Sequence, residues 1–127
     1  MSLREYFEST KGTGVLATSD KEGIVDAAIF ARPHILEDGT AGMIMRERLT
    51  HVNLKSNPHA AYLFLEEGPG YKGKRLFLTK IREEENSELL KSLKRRASSS
   101  NDDTKKGSEF LVIFKIDKEL PLIGKEE

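Results

Sequence analysis

The sequence predicts a mainly β domain, a small six-stranded antiparallel Greek-key barrel with a short N-terminal helix and one or two helices inserted further along. Three observations predict it. Short runs of strand character recur along the chain, from GVLATSD at 14–20 to FLVIFKI at 110–116. Tight turns join neighbouring runs, which favours antiparallel pairing. No alternation of strand and helix is present, and no internal repeat, so a parallel or repetitive architecture has no support.

The elements follow in order. Ser2 and Glu5 are spaced as a capping box, and Leu3, Tyr6 and Phe7 then share one helical face. Gly12 and Gly14 stop this helix, which reads as a lid for the open end of a sheet. The first strand is expected over Gly14–Asp20 and the second over Ile24–Leu36, with Lys21-Glu22-Gly23 between them; glycine supplies the positive φ of a three-residue hairpin. In the second run Val25, Ala27, Ile29 and Ala31 point one way and Asp26, Ala28, Phe30 and Arg32 the other. Pro33 removes a ladder donor, so a bulge or an edge is expected there. Asp38-Gly39 turns the chain into Ala41–Arg46.

A short helix, His51–Ser56, interrupts the meander. Thr50 is expected to cap it, with Leu49 and Leu54 spaced as a hydrophobic staple and Asn57-Pro58 ending it. Strands resume at Ala60–Glu66 and Arg75–Arg82, separated by the loop 68–73. A longer helix is expected over Ser87–Ala97, with Leu89, Leu90 and Leu93 as its apolar stripe. Glu83, Glu84, Glu85 and Glu88 lie at its start, and Lys91, Lys94, Arg95 and Arg96 towards its end, an order that complements the helix dipole. Ser98–Gly107 is polar and low in complexity, the composition of a mobile segment. The last strand, Phe110–Ile116, is apolar on nearly every residue, which predicts burial on both faces.

Composition narrows the function classes. At 127 residues one domain is the default. Lys+Arg and Asp+Glu balance at 21 each, which argues against a dedicated nucleic-acid binder. With no cysteine there is neither a disulfide scaffold nor a thiolate metal site. No apolar run approaches the ~20 residues that span a bilayer. The N-terminus lacks the apolar core of a signal peptide, so a soluble, cytoplasmic protein without membrane contact is expected.

Candidate sites are few. Gly12-Thr13-Gly14-Val15-Leu16-Ala17 has the letters of a dinucleotide fingerprint in the wrong context, after a helix and inside a strand. His34, His51 and His59 form no i, i+4 pair, and no metal site is expected. His51 opens the short helix, where its amide faces an incoming anion as any residue's would. No nucleophile elbow is present, and no catalytic residue can be named. The informative stretch is Arg46-Glu47-Arg48-Leu49-Thr50-His51-Val52-Asn53-Leu54, which joins two guanidiniums, a hydroxyl and the unpaired amides of a helix start. Helix N-termini and arginine forks both attract phosphate. Arg32, on the neighbouring run, is a further candidate for the same point. Two readings stand side by side: an anion site, or a capped helix with surface arginines.

The order of these elements resembles the pyridoxamine-phosphate-oxidase-like FMN-binding split barrels, especially their small members. The likeness runs through nearly the whole chain. Its specific part is LTHVNLKSNPHAAYLF, where Thr50, Asn53-Leu54 and Asn57-Pro58 match a pattern that recurs between the family's third and fourth strands. The resemblance implies that Thr50, with Arg48, Arg46 and Arg32, holds the phosphate of FMN. It implies that Asn53 fixes the turn and that Ala28, Ile29, Phe30, Ala31 and Arg32 line the flavin ring. It also implies a homodimer with flavin at the subunit interface, for which the apolar last strand is a candidate surface. Two departures stand out. Leu49 occupies the place before the threonine where relatives often carry Lys or Arg, so Arg48 or Arg46 must supply the charge. The chain has no Trp and lacks the terminal segment of true pyridoxamine phosphate oxidases, so that reaction is not assigned.

The expected function is therefore an FMN-dependent oxidoreductase or electron carrier acting on a small molecule or an electron-transfer partner. The alternative is a non-catalytic module that binds or senses flavin, a deazaflavin or haem. An oligonucleotide-binding barrel ranks last, because only 7% of the chain is aromatic.

Overall fold

In the computed structural model, residues 2–97 and 107–124 are described. The polar segment expected to be mobile lies, apart from Gly107, outside them. Among the described residues there are three helices and seven strands: α1 Leu3–Ser9, β1 Gly12–Ser19, β2 Val25–Ile29, β3 His34–Ile35, β4 Ala41–Arg46, α2 Leu49–Ser56, β5 His59–Glu66, β6 Gly73–Glu85, α3 Glu88–Ala97 and β7 Glu109–Pro121. All strands join one sheet in the order β2-β1-β5-β6-β7-β4-β3, with every pairing antiparallel.

The strand count corrects the expectation of six. The run at 24–36 is two strands, and they occupy opposite edges of the sheet. Residues 30–33 leave the ladder, where Pro33 has no amide to give. This break dictates the overall shape. Seven strands ~4.8 Å apart would make a flat sheet ~29 Å wide, whereas the five steps from Ile29 to His34 reach at most ~18 Å. The sheet must curl until its edges approach each other. α1 lies at that seam: it contacts β3, and Arg32 of the crossover donates to the carbonyls of Phe7 (2.9 Å) and Thr10 (2.6 Å) at the helix C-terminus. The predicted capping box is formed, with Ser2 and Glu5 each bonding the other's backbone amide. Phe7 enters the core, with Leu3 and Tyr6 packed against it.

Inside the barrel, Leu16, Met43, Tyr62, Phe64, Leu76, Leu78, Val112 and Phe114 form the main core. A second cluster lies on the other side of β7, where Leu90 and Leu93 of α3 cover Leu111 and Ile113. This explains why β7 is buried on both faces from Leu111 to Phe114. Leu111 and Ile113 of the apolar last strand are thus covered by α3 of the same chain.

β6 and β7 are longer than the sequence suggests. Glu83–Glu85 extend β6 opposite Val112, Leu111 and Phe110 and do not start α3. Asn86, at φ 47°, turns the chain, and the Ser87 hydroxyl caps α3 by accepting from the Leu90 amide at 3.1 Å. The two hairpin turns are as predicted. Gly23 and Gly39 adopt φ of 86° and 87°, and Asp20 and Asp38 accept amide hydrogen bonds across their turns.

Candidate functional site

α2 begins two residues earlier than expected. Arg48 is the N-cap, in extended backbone, and Leu49 is already helical. Thr50 therefore does not cap the helix; it sits in the first turn and is buried. The staple is absent too, since Leu49 is 56% exposed while Leu54 is in the core. No side chain caps α2. The amides of Leu49, Thr50 and His51 precede the first helical hydrogen bond, from the Val52 amide to the Arg48 carbonyl, and point out of the helix start.

What holds α2 in place is polar. Asn53 is buried and donates to the Thr18 hydroxyl of β1 at 3.1 Å. Asn57 donates to Ser19 at 3.0 Å and to the Asp20 carbonyl, and its own carbonyl oxygen accepts from the His59 amide. The helix thus packs against β1 and β2. The Asn-Leu and Asn-Pro pairs of the sequence pattern act here as hooks between a helix and a strand.

The predicted residues do not all converge. Arg48 is exposed, and neither its guanidinium nor the Thr50 hydroxyl has a hydrogen-bond partner among the described residues. Arg46 ends β4 and pairs with Glu109 of β7 at 3.2 Å. Arg32 is engaged by the carbonyls of α1, not by the start of α2. On β2 the expected alternation holds: Ile29 is 71% exposed on the outer face, whereas Ala28 and Phe30 are partly buried. Ala31 lends its carbonyl to the Tyr62 hydroxyl at 3.1 Å. The side chains of 28–32 therefore line two faces of the segment.

The sequence reading missed the bridge at His51. Its ring is fully buried and stacks on Phe110, with centroids 4.0 Å apart. Nδ1 contacts the Glu47 carboxylate, and Nε2 lies 3.0 Å from that of Glu83 on β6. Lys55 and Lys80 in turn bind Glu47 (3.1 Å) and Glu83 (2.9 Å). The His51 hydrogen bond, followed by that of Lys55, holds the Glu47 carboxyl below its usual range. Burial pushes Glu83 upward, but the bonds from Lys80 and His51 outweigh it and leave that carboxyl lowered. The i, i+4 spacing of Glu47 and His51 was the available signal; Glu83 is far away in sequence.

A separate open cleft of about 620 Å³ is lined by Lys11, Thr13, Arg32, Glu66 and Glu67, with no residue of α2. Among the described residues no cluster of His, Cys, Asp or Glu is arranged to hold a metal ion. No helix is long and apolar enough to cross a membrane.

No family model matches the chain, and no curated protein matches it by sequence. Solved structures do match. An FMN-binding protein from Syntrophomonas wolfei superposes with a TM-score of 0.80 at 19% identity, covering 97% of this chain and 85% of that one. An F420 reductase matches at 0.69 and 16% identity, over 94% and 98% of the two chains. The haem storage protein HutZ from Vibrio cholerae matches at 0.66 and 17% identity, over 93% and 90%. The fold is thus that of the pyridoxamine-phosphate-oxidase-like FMN-binding proteins. At these identities the likeness is one of fold.

Proposed function

We propose that this chain is an FMN-binding flavoprotein that serves as an oxidoreductase or electron carrier, with the flavin phosphate held at the first turn of α2. The observation that carries the reading is the set of donors there. Three outward amides, the Arg48 guanidinium and the hydroxyl of Thr50 are not committed to other described residues. A phosphate suits such a set, because the helix dipole, the amides and a planar guanidinium all favour an anion. Arg48 supplies the charge that Leu49 lacks, while Arg46 helps from its pair with Glu109. Asn53 fixes the turn through Thr18. The segment 28–32 runs along the flavin ring, and Arg32 orients that segment through α1.

When bound, FMN supplies the hydride or electron transfer, and the protein binds it, orients it and tunes its potential. A second copy of the chain completes the assembly. Its docking surface is the outer face of the sheet. Ile29, Val15 and Leu63 are in register there, as are Ala27, Ala17, Ala61 and Phe77. Val25 (77%), Ile29 (71%), Leu63 (41%) and Phe77 (39%) are exposed on this face, an apolar patch of the kind that marks an interface.

Replacing Arg48 and Thr50 together with Ala should weaken FMN binding by about a hundredfold or more, since hydrogen bonds to a charged group contribute ~1.5–3 kcal/mol each. Flavin fluorescence quenching measures this. Unchanged affinity in a folded double variant, or tight binding of haem or a deazaflavin with none of FMN, overturns the reading. Bleaching of bound FMN by a reduced nicotinamide, followed by reoxidation, separates a redox role from storage.

A further inference from the structure

His51 lies in the first turn of α2, yet its side chain points away from solvent and is engaged at both ring nitrogens. A neutral imidazole carries one N–H and one lone pair. With a carboxylate at each nitrogen, the neutral ring sets its lone pair against a carboxylate oxygen, with no water between them. The doubly protonated ring donates to both. Phe110 fixes the plane of the ring, so rotation cannot relieve the mismatch.

We propose that His51 is a protonated pin that positions the first turn of α2, so that the turn's fitness to take an anion is set by the charge on one buried ring. This rests on the reading of that turn as the phosphate site. The two carboxylates anchor different parts. Glu47 belongs to the strand-to-helix link just before the cap, and Glu83 to β6. Bridging them ties the helix start to the barrel wall.

The surrounding charges support this arrangement. Lys55 on α2 faces Glu47, and Lys80 on β6 faces Glu83. On β7, Glu109 beside Phe110 is occupied by Arg46 (3.2 Å) and Lys94 of α3 (2.8 Å). Among the described residues the bases that contact the ring nitrogens are the two carboxylates, and both are held in their charged form. Loss of the ring proton turns one hydrogen bond into a repulsion and releases either Glu47 or Glu83. The tie is therefore made by the doubly protonated ring and is lost with its proton. It is lost again in acid, when the carboxylates protonate.

Nitrogen-resolved NMR of the ligand-free protein tests the pin without reference to flavin. The expected result is two His51 ring N–H signals, one of which vanishes in a single step on raising pH, together with shifts of the Leu49 and Thr50 amides. A single ring N–H at every pH, or a transition that leaves those amides unmoved, overturns the proposal. The second arm is FMN affinity against pH. The wild type should weaken by about tenfold or more across the same step, the loss expected for one charged hydrogen bond, whereas His51→Gln should show no step. A step of equal size in the variant overturns the pin's role in binding. If FMN does not bind at all, only the functional reading fails, because the ring signals still judge the pin.

Discussion

Gly14 lies beneath Tyr62 of the neighbouring strand, where a Cβ would overlap the phenol hydroxyl and crowd the Phe30 carbonyl. That hydroxyl donates to Phe30 (3.3 Å) and Ala31 (3.1 Å), pinning the point at which the second run leaves the sheet. Burial pushes the Tyr62 hydroxyl well above its usual range, so it stays a donor. Gly14→Ala should cost ~1–3 kcal/mol by overpacking, read from urea unfolding; a neutral result would mean that the crossover is not held by Tyr62. The sequence marks Gly14 as a helix stop, the first residue of a strand and part of a false fingerprint. Its actual constraint comes from a residue 48 positions away, and spacing along one strand cannot reveal it.

At the scale of the element, α2 is a helix docked by polar hooks. Its existence and its end were legible, because Asn57-Pro58 forbids continuation. Its start was not: Arg48 caps by backbone geometry alone, while Thr50, the residue with capping chemistry, is buried inside the first turn. Asn53→Ala leaves the buried Thr18 hydroxyl without its donor and should cost ~1–3 kcal/mol. FMN affinity should fall with it; a stable variant with unchanged affinity would show that the hook does not position the turn. The ties to β6 depend on pH. Glu83 has a lowered carboxyl, so its contribution is complete above the ordinary glutamate range and is lost as pH falls through the lowered value. Melting temperature should drop in acid, and Glu83→Gln should reduce the slope. An identical acid slope in the variant would assign the effect to other carboxylates.

The whole molecule is shaped by connectivity. Strand patterning revealed the β class and the two hairpins, but residues 30–33 conceal that β2 and β3 lie at opposite edges. Only the pairing of β3 with β4 and of β2 with β1 shows that the sheet must curl. The stretch Phe110–Ile116 was read as buried on both faces, which holds for Leu111 to Phe114, and its cover, α3, is local. In the proposed dimer the partner covers the outer face of β2, β1, β5 and β6, where Ile29 and Leu63 are exposed. Light scattering should give twice the chain mass of 14.3 kDa, and Ile29→Lys with Leu63→Lys should return a folded monomer. A monomeric wild type would remove the assembly from the account. The claim on which the rest depends is that FMN phosphate sits at the start of α2, and amide NMR during FMN titration tests it most directly. The prediction is that the amides of Leu49, Thr50 and His51 shift and saturate together with flavin fluorescence. Saturating flavin binding that leaves those three amides unmoved would contradict it.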